Sequence, residues 1–194
     1  MNPLTLRAAK MFTSLFNRLN KMRRGQQGSA AVEFALIAPM MIALFCAIIE
    51  LTGLLMVERK IISASQTVAD LVTQETSVTS QDLDDIVQAG RLIFDPYPTL
   101  TLTFNIASIR FNTDTGVPEL VWQRLVGVNP GGSDILTQAV GLGAPGEGVV
   151  IVYITYSYDP LLGGIITGTV NLDEMSFSRP RRSPVVTCAS QSCS

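Results

Sequence analysis

Residues 34–57 read FALIAPMMIALFCAIIELTGLLMV, a run of 24 residues whose only charge is Glu50. As a helix rising about 1.5 Å per residue it would span about 36 Å, more than the roughly 30 Å hydrocarbon core of a bilayer. The run is therefore read as a membrane-crossing helix with some tilt. A secretory signal has a shorter apolar region, about 7 to 15 residues, that ends at a small-x-small cleavage site. A buried core helix of a soluble protein fits less well, because uncharged runs of this length are characteristic of spanning helices. Pro39 removes one amide donor, frees the carbonyl of Ala35 and permits a kink, which neighbouring helices in a membrane can accommodate.

Working outward towards the N-terminus, residues 1–28 carry Arg7, Lys10, Arg18, Lys21, Arg23 and Arg24 and no acid. After the run, Arg59 and Lys60 are offset by Glu58. This asymmetry places the N-terminus in the cytoplasm and the remainder across the membrane. That remainder holds all 16 acids against eight of the 14 basic residues, so a basic leader precedes an acidic body. Met11, Phe12, Leu15, Phe16 and Leu19 recur at helical spacing, with Arg18, Lys21 and the two Arg behind them, so the leader is expected to lie on the inner leaflet.

The junction reads Arg23-Arg24-Gly25-Gln26-Gln27-Gly28-Ser29-Ala30-Ala31-Val32-Glu33-Phe34. It resembles a type IV prepilin-like signal, in which a basic leader ends in Gly, a peptidase cuts after it, and a Glu stands at the fifth mature position. With Ser29 first, Glu33 is fifth. Cutting after Gly28 would create an ammonium on Ser29. An unpaired carboxylate costs about 2.5 kcal/mol or more at the centre of a membrane helix, so Glu33 calls for a cationic partner. In pilin-like families that partner is thought to be the N-terminal amine of a neighbouring subunit. The bland reading of Glu33 is a carboxylate at the interface that reaches into water.

The longer stretch Gly-Ser-Ala-Ala-Val-Glu-Phe-Ala-Leu-Ile-Ala-Pro is narrower and resembles the TadE-like family of minor, pilin-like proteins of Tad (tight adherence) pilus systems. Glu50, an acid near the end of the helix, fits that family, and DEMSFSRPRR at residues 173–182 is a weaker echo of its closing strand. The resemblance implies processing at Gly28 and Ser29, and subunit docking through Glu33, Phe34 and Glu50. Implied partners are a prepilin peptidase, other minor and major pilins, an inner-membrane pilus assembly platform and the lipid bilayer. The leader is longer than a minimal one. The absence of Leu or Ile just before Glu33 points to a Tad-type peptidase.

Past the apolar run no Gly or Pro interrupts residues 58–73, where Ile61, Ile62, Ala64, Val68, Ala69, Leu71 and Val72 lie on a polar background. One helix over residues 29–74 is expected, its second half offering an apolar stripe to a domain. Ser80 reads as the N-cap of a helix over 81–93. Asp82, Asp84 and Asp85 sit in its first turn, where the dipole favours acids; they lack the alternation and Gly of a calcium loop. Beyond Pro98 the period changes to two at Leu100, Leu102, Phe104 and Ile106, then Ile109 and Phe111. Asp114-Thr115-Gly116 supplies a turn, and strands follow at 117–126, 149–158 and 165–177. Residues 129–148 are rich in Gly and Pro around a short helix at 133–140.

The expectation is an α+β protein, with a long N-terminal transmembrane helix continuing into a periplasmic domain that has an antiparallel sheet of about four strands. Its divisions are a cytoplasmic leader (1–28), the transmembrane helix (29–57), and the periplasmic domain with a flexible C-terminal tail (58–194). Cys188 and Cys193 fit either a small closing disulfide in an oxidising compartment or two free thiols on a frayed tail. Cys46 reads as a small apolar residue. With no histidine and only three cysteines, the common catalytic triads and Cys/His zinc sites cannot be assembled. GLGAPGEG at 141–148 lacks the Lys-Ser/Thr of a phosphate-binding loop. No enzyme activity, cofactor or nucleic-acid partner is expected. The competing function is an uncleaved, single-pass anchored binding or sensor domain whose Glu33 is incidental.

Overall fold

The computed structural model describes residues 27–132, 134–160, 168–189 and 193. The amphipathic face read in the leader lies outside them. The chain falls into two compact units, residues 1–49 and 50–194.

Helix α1 runs over Gln27–Gln74 and is unbroken at Pro39. Within the first unit its side chains are almost all exposed, Phe34, Leu36, Met40, Ile42 and Phe45 among them. Among the described residues α1 is the one helix long and apolar enough to cross a membrane, and none of its most apolar window is buried. That exposure separates it from the core helix of a soluble domain.

In the second unit the order after α1 is β1 (Ser77–Val78), α2 (Ser80–Ile93), β2 (Thr103–Phe111), β3 (Pro118–Val126), α3 (Ile135–Ala139), β4 (Gly148–Tyr158), β5 (Val170–Ser178) and β6 (Thr187–Cys188). Four strands form an antiparallel sheet in the order β3-β2-β4-β5, and β1 pairs with β6 in parallel. The unit is a mixed α+β fold. Val57, Ile61, Ala64, Val68 and Val72 of α1 pack with Leu83 and Val87 of α2 against Phe104, Ile106, Val150, Val152 and Ile154.

The opposite face of the sheet is covered too. Ile135 and Ala139 of α3 pack on Ala107, Ile109, Phe111, Val149 and Ile151. The short helix of the Gly- and Pro-rich segment thus supplies a second cover. Its helix is shorter than the expected 133–140, and Ser133 lies outside the described residues.

Burial from both sides explains why the period of two shifts between Ile106 and Ile109. All positions of β2 except Arg110 are buried, so apolar residues occur on both parities. The polar ones are satisfied, as burial demands: Thr103 shares a hydroxyl hydrogen bond with Thr155 (2.6 Å), and Ser108 donates to the carbonyl of Val186 (2.8 Å). β2 begins only at Thr103; Leu100 is in a turn and exposed. Helix α2 starts at Ser80 with Thr79, not Ser80, as N-cap. The Thr79 hydroxyl accepts from the Asp82 amide, while the Asp82 carboxylate accepts from the Thr79 amide. β5 begins at Val170, and residues 165–167 of the expected strand lie outside the described set.

Candidate functional site

In the first unit α1 begins at Gln27, so Gly28, Ser29, Glu33 and Phe34 are all helical and all exposed. Ser29 Oγ donates to Glu33 Oε1 at 3.0 Å, an i to i+4 contact across one turn. A Cβ built on Gly28 would meet nothing within 4 Å, so no packing within the chain requires glycine there. Phe34 follows Glu33 by about 100° of helical rotation, so ring and carboxylate leave the helix in different directions.

Glu50 opens the second unit and is half-buried. One turn on, a Cβ on Gly53 would stand 2.7 Å from Tyr158 Oη, so glycine is what lets the tyrosine lie against the helix. Burial pushes the Tyr158 phenol above its ordinary value, and the Glu50 carboxylate and Tyr97 add to the shift. Tyr97 meets Tyr158 edge-on with centroids 6.5 Å apart. Lys60 Nζ donates to the carbonyls of Ile93 and Asp95, each at 2.8 Å, and lies 6.0 Å from the Tyr97 ring centre.

The closing segment returns to the C-terminal end of α1. Arg181 forms an ion pair with Asp70 and donates its amide to the carbonyl of Thr73 at 3.1 Å. The Thr73 and Ser178 hydroxyls lie 3.3 Å apart. Arg179 pairs with Glu147 at 3.3 Å. The cation and the donated amide both sit where a helix leaves its last carbonyls unpaired.

Where the sequence suggests a flexible tail, the chain is held as far as Ala189. Val186 is fully buried, its carbonyl accepting from both Ser108 Oγ (2.8 Å) and Trp122 Nε1 (2.9 Å). Cys188 and Cys193 form a disulfide with Cα atoms 6.2 Å apart, and Cys193 is buried beside Val78. Between α1 and the outer strand β5, Gln66, Asp70, Glu174, Ser176 and Ser178 line an open polar groove of about 400 Å³.

The residues singled out in sequence thus fall into three places: Gly28, Ser29, Glu33 and Phe34 at the start of α1, Glu50 beside Tyr158, and the two cysteines at the chain's end. Sequence reading missed the contact of Gly53 with Tyr158 and the pairing of Arg181 with Asp70. The one signal for the first was a glycine in an otherwise bulky run.

Residues 28–70 match the family model of TadE-like protein. The match takes in Gly28, Ser29, Glu33, Phe34 and Glu50, and it is the family that the sequence resembles. No curated protein and no solved structure matches the chain.

Proposed function

We propose that this chain is a minor pilin or pseudopilin, anchored in the inner membrane with its N-terminus in the cytoplasm. A prepilin peptidase cuts it after Gly28, and it acts in the assembly of a Tad-type pilus. The observation that carries this reading is the family match over residues 28–70, which opens on Gly28 and includes a carboxylate at the fifth position from Ser29. The chain works by binding other subunits and the assembly platform, not by catalysis.

The physical role of Glu33 follows from its surroundings. In lipid its carboxylate needs a cation, and the Ser29 hydroxyl offers only a neutral donor. Cleavage converts Ser29 into an ammonium one helical turn away, able to pair within the chain or with the Glu33 of a neighbour. Docking that brings the two groups together removes a cost and sets the register between helices. The exposed apolar face of residues 34–49 packs with lipid or with neighbouring subunits.

The test is N-terminal sequencing of the protein purified from a host that carries its own prepilin peptidase. A mature start at Ser29 is expected. A start at Met1 overturns the reading in favour of an uncleaved, membrane-anchored binding domain.

A further inference from the structure

Each edge of a β-sheet leaves a row of backbone N–H and C=O groups without a strand partner. In the four-stranded sheet of the second unit those edges are β3 and β5, and the two differ. β3 opens on Pro118, which has no N–H to offer, and its pairing with β2 slips between Ser108 and Ile109. Both features blunt an edge. β5 has neither. Its nine residues, Val170–Ser178, pair with β4 in unbroken register and include no Pro, Lys or Arg. Among the described residues no strand follows on its far side. Alternate residues of β5 therefore turn their amide and carbonyl groups outward along about 30 Å, at roughly 3.4 Å per residue.

The space beside that edge is open. Glu174, Ser176 and Ser178 share the side of β5 that faces α1, since they pair with the core residues Ile154, Val152 and Val150. Together with Gln66 and Asp70 they line the polar groove of about 400 Å³. At one end the groove is closed, where Thr73 meets Ser178 and Arg181 holds Asp70. Asp70 thus has its cation, and Arg179 is taken by Glu147. Glu174 is left without a cation among the described residues. Asp173, its neighbour on the opposite face, accepts from the uncharged Tyr153 hydroxyl at 3.0 Å. That opposite face also presents Met175 and Phe177, the latter 44% exposed.

These features select the occupant. Two copies of β5 paired antiparallel over their whole length would be related by a two-fold axis through Glu174, setting carboxylate against carboxylate, and like charges directly opposite destabilise a strand pair. We propose that β5 is a docking edge for an extended segment of a partner protein, added as a fifth strand. The segment carries Lys or Arg opposite Glu174 in the groove, and apolar side chains on its other face against Met175 and Phe177. Backbone hydrogen bonds supply the affinity, and the alternating side chains supply the selection. Beyond the leader the chain holds all 16 acids against eight of the 14 basic residues, a field that draws a cationic segment. The proposal concerns the second unit alone and stands whether or not the chain is cut after Gly28.

The experiment uses the full chain in a non-ionic detergent and three short labelled peptides: one alternating Lys and Val, one alternating Glu and Val, and the Lys-Val peptide with every amide N-methylated. Binding is followed by fluorescence anisotropy, and its place on the chain by hydrogen exchange. The expected result is that the Lys-Val peptide alone binds, slows exchange in residues 170–178 several-fold and leaves β3 unchanged. Glu174→Gln should weaken that binding several-fold and remove much of its salt dependence, with the unfolding midpoint read from Trp122 unchanged. No binding of the Lys-Val peptide overturns the proposal, as does protection that falls on β3. Equal binding of the N-methylated peptide overturns strand addition, and equal binding of the Glu-Val peptide overturns the charge chemistry. Slowed exchange in β5 that grows with protein concentration without any peptide assigns the edge to a second copy, and overturns the proposal too.

Discussion

Ser29 Oγ donates to Glu33 Oε1 across 3.0 Å, so the residue that would become the first after cleavage already touches the carboxylate one turn along the helix. Uncut, the carboxylate accepts from an uncharged hydroxyl; cut, the same residue would place an ammonium within reach of it. Replacing Glu33→Ala is expected to leave the protein inserted and processed yet lower pilus number roughly tenfold or more, since 1.4 kcal/mol is tenfold and the unpaired charge is worth more. Glu33→Gln keeps a hydrogen-bonding side chain without the charge and should fail equally. Pilus counts by electron microscopy decide; wild-type numbers in Glu33→Gln would show that charge pairing is not what Glu33 supplies.

Gly53 and Tyr158 make a prediction about non-additivity. A Cβ at position 53 would lie 2.7 Å from Tyr158 Oη, and Tyr158 is too buried to swing away freely. Gly53→Ala is expected to destabilise the domain by about 1–3 kcal/mol through overpacking. In a Tyr158→Phe background the clash is gone, and the same change should stabilise by up to about 1 kcal/mol through helix propensity. Thermal unfolding of the full chain in detergent, followed by the fluorescence of Trp122, gives the four values of the cycle. Equal effects of Gly53→Ala in both backgrounds would remove the clash from the account.

Asn105 is buried in the central strand and ties three segments together. Its amide donates to the carbonyls of Gly131 (2.9 Å) and Gly132 (3.2 Å), and its oxygen accepts from Gln123 at 2.8 Å. Asn105→Ala should lower stability by about 1–3 kcal/mol by leaving buried polar groups without partners. Hydrogen exchange should quicken in residues 127–132 before it does in β4. Unchanged exchange in that segment would mean the asparagine is not what holds it.

Acid sensitivity follows from the capping box of α2. The Asp82 carboxyl is held below its ordinary 3.8, first by the backbone hydrogen bond from Thr79 and then by that residue's hydroxyl. A depressed folded value means a stabilisation present above the unfolded value and lost as the pH falls through the folded one. The contribution of Asp82 should therefore decline below about pH 4, and Asp82→Asn should flatten that part of the stability profile. The unfolding midpoint measured against pH in both proteins checks this. Parallel profiles would place the acid sensitivity elsewhere, with Glu119 the next group to test, since its hydrogen bonds to Asn112 and Arg110 also lower its pKa.

What could be read from the chain alone was whatever has a local cause. The length and uniformity of residues 34–57 mark α1, and the stripe Ile61, Ala64, Val68 and Val72 marks its core-facing side. The turn at Asp114-Thr115-Gly116 separates β2 from β3 as expected. The start of α2 was misplaced by one residue because Thr79 and Ser80 are both good caps, and only the reciprocal bond with Asp82 distinguishes them. The two-sided burial of β2 was hidden because its second cover, α3, was expected as a short helix but no local pattern says that it packs on the sheet. Arg181 and Asp70 are an ion pair that no local pattern announces, since they stand 111 residues apart. At the start of α1 the identities and spacing of Gly28, Ser29 and Glu33 were legible, and the hydroxyl contact between Ser29 and Glu33 was not.

The parallel pairing of β6 with β1 carries a consequence for biogenesis. Thr187 reaches back to Thr76, 111 residues earlier, and Val186 fills a place between Ser108 and Trp122 that nothing earlier in the chain occupies. A nascent domain can zip its sheet early, but it cannot close the end of its own helix until residues 181–188 have been made. Residues 181–188 thus act as a latch, and a chain halted before them would present an unfinished surface to proteases.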